Sequence, residues 1–196
     1  MKKLLALLLP ALFLFSLSGC YQSPAAAVDG TPWAEDWELI GTVMGVEAPE
    51  NGLTLMDNNG ALAAMDMFYA TWTIGEATAI TNEDDEEAQV FDAQLYLLAD
   101  GNQAPEEAQE TIESWISRYN VQETLSATCN SQPFTLVRYT FDSETNPYAR
   151  GLSAFGVYET YAIAAELVCQ DAFDGDLYQI LTEFLEGCHY APIQEE

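Results

Sequence analysis

The spacing of hydrophobic residues changes along the chain, and each spacing predicts a different kind of element. From Leu53 to residue 100 the apolar residues form short runs bounded by Gly, Asn and Asp, which is typical of strands. The segments LTLMD and ALAAMD flank Asn58-Asn59-Gly60 and predict a tight hairpin, because Asn-Gly favours the positive φ angles of such a turn. Further strands are predicted for MFYATWTI, which ends at Gly75, and for the buried run 93–98.

Two stretches have the 3.6-residue spacing of amphipathic helices. The first begins at Pro105, which suits the first helical position, and ends near Asn120. The second is predicted to be capped by Asp174, to carry Asp176 in its first turn and to be weakened by Gly187 in its last turn. The first apolar stripe consists of Ala108, Ile112, Trp115, Ile116 and Tyr119, and the second of Leu177, Ile180, Leu181, Phe184, Leu185 and Cys188.

Between the helices lie three apolar segments of strand length, at 133–141, 150–158 and 161–169. The loop-forming sequence DSETNP separates the first two, and two residues separate the second pair, which requires an antiparallel hairpin. Antiparallel strands that are segregated from two packing helices predict an α+β fold, with one antiparallel sheet and two helices in a layered sandwich.

The segments around this sheet are more polar. Residues 21–32 contain two prolines and several small residues without apolar periodicity, which predicts a flexible tether. In the next segment Trp33, Trp37, Ile40 and Met44 are three or four residues apart, which indicates either a short helix or an extended arm packed on the domain. The sequence NEDDEE, at 82–87, is predicted to be an acidic loop.

The first 20 residues have the parts of an export signal. Lys2 and Lys3 precede an apolar run of about 12 residues, shorter than the ~20 that a membrane-crossing helix needs. The sequence Leu17-Ser18-Gly19-Cys20 resembles the lipobox of bacterial lipoproteins, in which the cysteine is lipidated and becomes the first residue of the mature chain. The resemblance implies lipidation of Cys20, with palmitate among the attached chains, and a location at the extracytoplasmic face of the cell membrane. The alternative is an ordinary secretory signal with an incidental cysteine.

These features predict a cleaved signal peptide (1–19), a lipidated N-terminus with tether and short arm (20–48), a single α+β domain (49–191) and a tail (192–196). The order of elements over about residues 50–190 resembles the PsbP/Mog1-like sandwich. The stretches YATWTIGE, FDAQLYLL, TNPYARGLSAFGVY and EFLEGCHY are similar to a group of uncharacterised lipoproteins of gut Firmicutes. The first resemblance implies the layered fold, and neither implies an activity.

The chain is strongly acidic, with 32 acidic residues, five basic residues and a formal net charge of −27. Cleavage at Cys20 would leave only Arg118, Arg138 and Arg150 as cations, and a formal charge of about −29. Such a body repels phosphate backbones and anionic lipid, so nucleic acid is not expected as a partner and the membrane is contacted through the lipid anchor only. A basic protein or peptide is the partner class that this charge attracts. The alternative is that the acidic surface only keeps the domain soluble. We expect the protein to be a monomer.

Export would place the remaining cysteines where disulfides persist. Strands 133–141 and 161–169 run in the same direction on either side of 150–158, and the last helix returns by ~21 Å along the sheet. It would carry Cys188 away from Cys169 and towards Cys129, so a Cys129–Cys188 disulfide is predicted, with Cys169 as a buried free thiol. The alternative is three reduced cysteines.

No residue pattern indicates catalysis. His189 is the single histidine and follows Cys188, but neighbouring side chains on a helix point in different directions, so His189 is expected to interact with helix-end carbonyls. Zinc patterns such as CxxC are missing, and the spacing after Asp174 does not fit a calcium loop. No catalytic residue, metal ligand or cofactor is therefore predicted.

Four residues are candidates for ligand binding. Asn146, Tyr148 and Arg150 lie on the loop that opens the strand at 150–158, and loops carry function more often than cores do. Trp72, near Gly75, could line a groove. The structural alternatives are a salt bridge of Arg150 with an acidic residue and packing of Trp72 in the core.

The leading hypothesis is a lipid-anchored, extracytoplasmic binding or scaffolding module of the cell envelope. One alternative is a hydrolase that uses paired carboxylates on a basic substrate, which requires a cleft with two carboxylates and a raised pKa on at least one. The other is a surface binder of divalent cations, for which NEDDEE supplies oxygen ligands.

Overall fold

A computed structural model describes residue 34 and residues 36–40, 44–59, 67–81, 87–101, 105–141, 146–158 and 161–190. The signal sequence, Cys20, the tether, acidic residues 82–86 and the tail beyond residue 190 lie outside this part of the chain. The elements are β1 (Glu38–Ile40), β2 (Met44–Val46), β3 (Thr54–Asn59), β4 (Met67–Ile74), β5 (Thr78–Thr81), β6 (Glu87–Val90), β7 (Ala93–Asp100), α1 (Pro105–Ile116), β8 (Val121–Cys129), β9 (Gln132–Thr140), β10 (Arg150–Tyr158), β11 (Tyr161–Cys169), α2 (Leu177–Glu186) and β12 (Cys188–Tyr190).

The centre of the fold is a seven-stranded antiparallel sheet with the strand order β3-β4-β7-β11-β10-β9-β8. The three strands predicted between the helices are β9, β10 and β11, and Tyr158 pairs with Tyr161 across the short hairpin. The predicted fold class is confirmed: this is an α+β protein with an antiparallel sheet and two packing helices. Within the described residues, neither helix is long and apolar enough to cross a bilayer.

The two helices pack on opposite faces of this sheet. The side chains of β11 point alternately to the two faces of the sheet. Ile163, Ala165 and Leu167 join the hydrophobic cluster around α2, whereas Ala162 and Ala164 join the cluster around α1. We call these surfaces the α2 face and the α1 face. The β5–β6 ribbon adds Val90 to the α1 face, where it packs with residues of β11 and of the loop before β10.

Strand β8 was not predicted from the sequence. Its sequence, VQETLSATC, is largely polar, and its side chains are exposed from Val121 to Thr124 because it is an edge strand, which among the described strands pairs with β9 alone. Asn130 and Ser131 make the tight connection with φ angles of 44° and 66°. Hydrophobic spacing identifies strands by their buried residues, so an edge strand with few of them gives little signal.

The predicted tight turn at Asn58-Asn59-Gly60 is wrong. Asn58 and Asn59 lie inside β3, opposite Ala70 and Tyr69 of β4. The segment ALAAMD lies outside the described residues. Strand β3 pairs with β4, MFYATWTI, which lies between two other strands, a position that suits its aromatic and β-branched residues.

The segment after the tether is extended rather than helical. Strand β2 pairs with β1 and with β12, which follows α2, to form a three-stranded sheet on the α2 face. Ile40, Met44 and Val46 are buried there. Of the two predicted conformations, the extended arm is correct, because backbone pairing with a strand distant in sequence outweighs the local helical spacing.

Helix α2 begins two residues later than predicted. Its N-cap is Asp176, whose carboxylate accepts hydrogen bonds from the backbone N–H groups of Tyr178 (2.9 Å) and Gln179 (3.3 Å), so Asp174 is not the cap. The helix ends at Glu186 with Gly187 as its C-cap, and Cys188 belongs to β12. The predicted apolar stripe is otherwise correct: Leu177, Leu181, Phe184 and Leu185 are buried, and Ile180 is partly buried.

Candidate functional site

Four polar residues lie side by side on adjacent strands of the α1 face. Thr71 of β4 is directly opposite Tyr96 of β7, Tyr96 is opposite Glu166 of β11, and Glu166 is opposite Ser153 of β10. Directly opposed residues point to the same face of a sheet. We call these four residues the polar row. Thr71 and Ser153 are buried, and among the described residues the Thr71 hydroxyl has no hydrogen-bond partner.

The carboxyl group of Glu166 is held by tyrosine hydroxyls. Tyr139 of β9 donates a hydrogen bond to Glu166, and its oxygen also lies 3.0 Å from the Ser153 hydroxyl. Tyr119, just after α1, forms a second hydrogen bond with the same carboxyl. Gly151 makes this arrangement possible, because a Cβ atom at that position would lie 2.5 Å from the Tyr139 ring.

Burial dominates the electrostatics of this site. It raises the pKa of Glu166 above its usual 4.5, although the hydrogen bonds from Tyr139 and Tyr119 act in the opposite direction. Burial, followed by the charge of Glu166, also raises the pKa of Tyr139 and Tyr119 well above 10. The tyrosines therefore remain neutral donors at physiological pH, whereas burial favours the protonated form of Glu166.

Beside Glu166 the helix and the sheet leave a cavity of about 20 Å³. Trp115 and Tyr119 come from the α1 side, and Phe155 comes from β10. The Phe155 ring centroid lies 6.4 Å from that of Trp115 and 5.9 Å from that of Tyr119. Glu166 and Tyr119 are partly exposed, so solvent reaches the cavity. We call it the aromatic cleft; it is lined by Tyr96, Leu98, Trp115, Tyr119, Phe155, Ala164 and Glu166.

The three candidate residues around the loop before β10 are close together but are engaged within the protein. Asn146 accepts a hydrogen bond from the backbone N–H of Tyr148 (2.9 Å). The buried Tyr148 hydroxyl donates to Gln94 (2.8 Å), and burial raises its pKa to about 12. Arg150 donates to the backbone carbonyls of Asp171 (3.3 Å) and Phe173. Arg150 thus fixes the connection between β11 and α2 through carbonyls, not through the expected acidic side chain.

Trp72 lies apart from these residues, on the α2 face. It is 1% exposed and makes an edge-to-face contact with Phe184, at a centroid distance of 4.8 Å. This is the core packing that was the alternative to a groove. None of the four candidates lines the aromatic cleft.

His189 is on β12 rather than at a helix end. Its Nε2 lies 2.6 Å from a Glu47 carboxylate oxygen, its ring stacks on Trp37 at 4.1 Å, and its Nδ1 lies 3.3 Å from the Asn130 amide. The expected contact with helix carbonyls is therefore wrong, because the chain leaves the helix before this residue. The neighbouring Cys188 is fully buried, which raises the pKa of its thiol far above that of a free cysteine, and the two side chains do not act as a pair.

The predicted disulfide is not present. Cys129, Cys169 and Cys188 are all buried free thiols, as predicted for Cys169 alone. The helix does return Cys188 to the end of the sheet that holds Cys129, since the Asn130 amide donates to the Cys188 carbonyl (2.6 Å). The Cys188 thiol, however, donates to the Phe184 carbonyl (3.4 Å). In the described residues no three His, Cys, Asp or Glu side chains are grouped as metal ligands.

Glu166, Tyr139, Tyr119 and Ser153 were not among the candidates from the sequence. One signal was available: Glu166 is the single charged residue in the apolar segment YAIAAELVC. A charge at such a position is rarely buried without partners, so it marks a site to be explained. Its tyrosine partners could not be identified, because they lie on other elements that only the fold brings close.

Comparison with known proteins concerns the fold alone. No protein-family model and no curated protein matches the chain. A similar solved structure is that of cyanobacterial PsbP (CyanoP) from Synechocystis, which has 7% sequence identity and a TM-score of 0.37 over 74% of this chain and 97% of that chain. Likeness of this degree implies no shared ligand or activity.

Proposed function

We propose that this protein is a lipid-anchored binding module of the cell envelope, held at the extracytoplasmic face by Cys20, which takes part of its ligand into the aromatic cleft. The observation that supports binding is the cleft itself: aromatic side chains and Glu166 line a small cavity beside residues that are partly exposed. Apolar walls with a few converging polar groups are typical of ligand sites. The lipobox resemblance supports the anchor, since two acyl chains hold a protein stably at a membrane.

The size of the cleft limits what enters it. A volume of about 20 Å³ holds one water molecule or a group of similar size, not a whole small molecule. We therefore propose that the end of a larger ligand, or of a side chain from a partner, is inserted into the cleft. The remainder would lie over the surface formed by α1 and the neighbouring strands.

The binding role is tested by filling the cleft. Ala164 lines the cavity, so Ala164→Leu should occupy it, whereas Ala77→Leu adds the same side chain at an exposed position as a control. Each full-length protein is purified from envelope extract and its bound molecules are compared by native mass spectrometry. A ligand that the wild type and Ala77→Leu retain and Ala164→Leu loses supports the proposal. Equal ligand content in all three would contradict it, provided that circular dichroism shows Ala164→Leu to be folded.

The anchor is tested separately by Cys20→Ser. The variant should move from the membrane fraction to the soluble extracytoplasmic fraction, while Ser16→Ala, outside the lipobox-like sequence, should stay with the membrane. Continued sedimentation of Cys20→Ser with membranes would argue against lipidation at this position.

A carboxylate-based hydrolase remains the second candidate, because Glu166 has the raised pKa that a general acid requires. Paired-carboxylate mechanisms need a partner within about 5–9.5 Å. Among the described residues that line the cleft, Glu166 is the one carboxylate. This composition favours binding over hydrolysis, and hydrolysis of a basic substrate that is lost in Glu166→Gln would reverse that preference.

A further inference from the structure

We infer that β8 is an interaction surface for a second copy of this chain, and that the two copies pair edge to edge and antiparallel. In this arrangement Ser126 lies opposite Ser126 of the second copy, and the two central sheets become one continuous sheet. A two-fold axis relates the copies, which is the commonest symmetry of protein dimers. Four observations support the inference: the unprotected edge, the direction of its backbone groups, its symmetric sequence and the charges at its two ends.

The first observation is that β8 lacks the usual protection of an edge strand. Edge strands are commonly blunted by charges, prolines or bulges. The pairing of β8 with β9 is regular from Glu123 to Cys129, a stretch without proline or glycine, and its one charge, Glu123, is neutralised by Arg138 at 2.9 Å. At the opposite edge of the sheet, a bulge interrupts β3 between Leu55 and Asp57. Among the described strands, β8 is therefore the edge that is suited to further pairing.

The second observation is the direction of the backbone groups in β8. The two turn residues between β8 and β9 have φ angles of 44° and 66°, as in a type I′ hairpin, and such a turn is closed by a hydrogen-bonded pair. That pair is Cys129 and Gln132, so every second residue of β8 bonds to β9 and the residues between turn their N–H and C=O groups outwards. Pro133 agrees with this assignment, because it lies opposite Thr128 and has no N–H. The residues that present backbone groups to the free edge are Thr124, Ser126 and Thr128.

The third observation is the symmetric sequence around Ser126. Thr124 and Thr128 lie two residues to either side, with Leu125 and Ala127 between them. When Ser126 lies opposite its own copy, Thr124 faces Thr128 and Leu125 faces Ala127, and all three outward-facing residues form hydrogen-bonded pairs. The three hydroxyl side chains are exposed, and pairs of this kind stabilise antiparallel sheets. Leu125 and Ala127 already pack against the α2-face cluster, so the pairing extends that apolar surface across the edge.

The fourth observation is that the charges at the two ends of β8 differ in sign. Arg118 precedes the strand, and Arg138 lies opposite Glu123 near its beginning. Glu186 lies beside the other end, since its carboxylate accepts a hydrogen bond from the backbone N–H of Asn130 (2.7 Å). Antiparallel pairing brings the end with two arginines next to Glu186 of the other copy. This local attraction opposes the repulsion between two chains of charge −27 and favours this orientation.

The dimer would have a consequence for binding that rests on the proposed function. A two-fold axis between antiparallel strands is perpendicular to the sheet, so the α1 faces of both copies lie on the same side. Two aromatic clefts would then be presented together to one partner, and such a bivalent contact is tighter than either contact alone.

The register is tested by disulfide cross-linking of the full-length protein in its membrane. Ser126→Cys should form a covalent dimer on mild oxidation, because hydrogen-bonded residues across antiparallel strands have Cα atoms about 5.5 Å apart, within the range of a disulfide. Gln122→Cys is the control on the same strand: residue 122 is exposed, but its two copies would be more than about 20 Å apart. The wild type gives the background, because Cys129, Cys169 and Cys188 are buried. Non-reducing electrophoresis and mass spectrometry of the linked peptides measure the result.

A second test measures the monomer–dimer equilibrium of the full-length protein in detergent by analytical ultracentrifugation. Ser126→Glu would place two carboxylates opposite each other and should raise the dissociation constant about tenfold or more. Ser114→Glu adds the same charge at an exposed position of α1 and should change the constant by less than about twofold. Circular dichroism checks that both variants are folded.

Several results would overturn the inference. Absence of a Ser126→Cys dimer would show that this edge is not paired with its copy, and equal cross-linking of Gln122→Cys would indicate random collision. A cross-link from Ser126→Cys to a different protein would mean that another strand, not a second copy, occupies the edge. Equal effects of Ser126→Glu and Ser114→Glu would mean that only the overall charge matters.

Discussion

The two faces of the central sheet are built in different ways. The α2 face is an apolar core in which Leu181, Phe184 and Trp72 are 2% exposed or less, and the small β1-β2-β12 sheet covers it further. The α1 face has a partly buried polar row, tyrosine hydrogen bonds and a cavity open to solvent. The α2 face thus provides stability through close packing, whereas the α1 face keeps polar groups and empty space that packing alone would not retain. The comparison indicates that binding should be sought on the α1 face.

The largest effect expected from this difference concerns the three thiols, all of which belong to the α2-face cluster and are 2% exposed or less. Burial also raises their pKa values, to about 11 for Cys129. Alkylation in the native state should be slower than in urea by about 10³-fold or more, because it requires the face to open. Mass spectrometry after timed alkylation measures this rate. Rapid labelling of any of the three would show that the face is not closed, and a mass 2 Da lower without labelling would show a disulfide.

Truncation of Phe184 to alanine should lower the free energy of unfolding by about 3–5 kcal/mol, since it leaves a cavity against Trp72 in the α2-face core. Urea denaturation measures the change. The exposed Tyr178 of the same helix gives a control, and Tyr178→Ala should cost less than about 1 kcal/mol. A loss below about 1.5 kcal/mol for Phe184→Ala would mean that the α2 face is not the main source of stability.

On the α1 face, Gly151→Ala should cost about 1–3 kcal/mol, because the new Cβ would displace Tyr139 from Ser153 and Glu166. Gly187→Ala is the matched control: its Cβ would meet only ordinary contacts, the nearest at 3.4 Å, and should change stability by less than about 0.5 kcal/mol. Thermal unfolding of both variants gives the comparison. Similar values for the two glycines would contradict the close approach at Gly151.

Removal of the Tyr139 hydroxyl tests its contacts with Glu166 and Ser153 while the volume of the side chain stays almost the same. Tyr139→Phe leaves Glu166 with one donor fewer and should lower the free energy of unfolding by about 1–2 kcal/mol. The same substitution at the exposed Tyr178 should have no measurable effect. If Tyr139→Phe is neutral, the hydrogen bond from Tyr139 to Glu166 contributes little to the stability of the fold.

The smallest effect is the pH dependence that Glu166 contributes. Its pKa in the folded protein is raised above 4.5, so the folded state keeps a proton that the unfolded chain has already released. The stability contributed by Glu166 is therefore complete below about pH 4.5 and is lost as pH rises through the folded pKa. The free energy of unfolding of the wild type minus that of Glu166→Gln should fall over this range. A difference that is flat, or that rises with pH, would contradict the direction of the shift.

The success of sequence reasoning followed the strength of the periodic signal. Helix α1 and strands β9, β10 and β11 were predicted because their apolar residues repeat regularly and mark a buried surface. Strand β8 has few buried side chains and gave no such signal. The hairpin at Asn58-Asn59 failed because a local turn preference of a few residues was outweighed by the gain from placing MFYATWTI between two other strands.

The candidate site was less accessible to sequence reasoning than the fold. The predicted candidates Tyr148 and Arg150 donate their hydrogen bonds within the protein, to Gln94 and to two backbone carbonyls. The aromatic cleft combines side chains from β7, α1, β10 and β11, and no local pattern connects these segments. Glu166 alone stood out, as a charge in an apolar strand, without any indication of what it contacts.

The sequence by itself determined the α+β class, the amphipathic helices and the strongly acidic character. The spacing of hydrophobic residues is a property of residues close together in the chain, and net charge is a property of composition. Only the tertiary structure decided three further features. These are the tyrosines that hold Glu166, the face of the sheet that is closed, and the strand with which the arm of β1 and β2 pairs. The physical reason is that each of these features depends on contacts between residues far apart in the chain, and such contacts are specified by the packing of the whole fold.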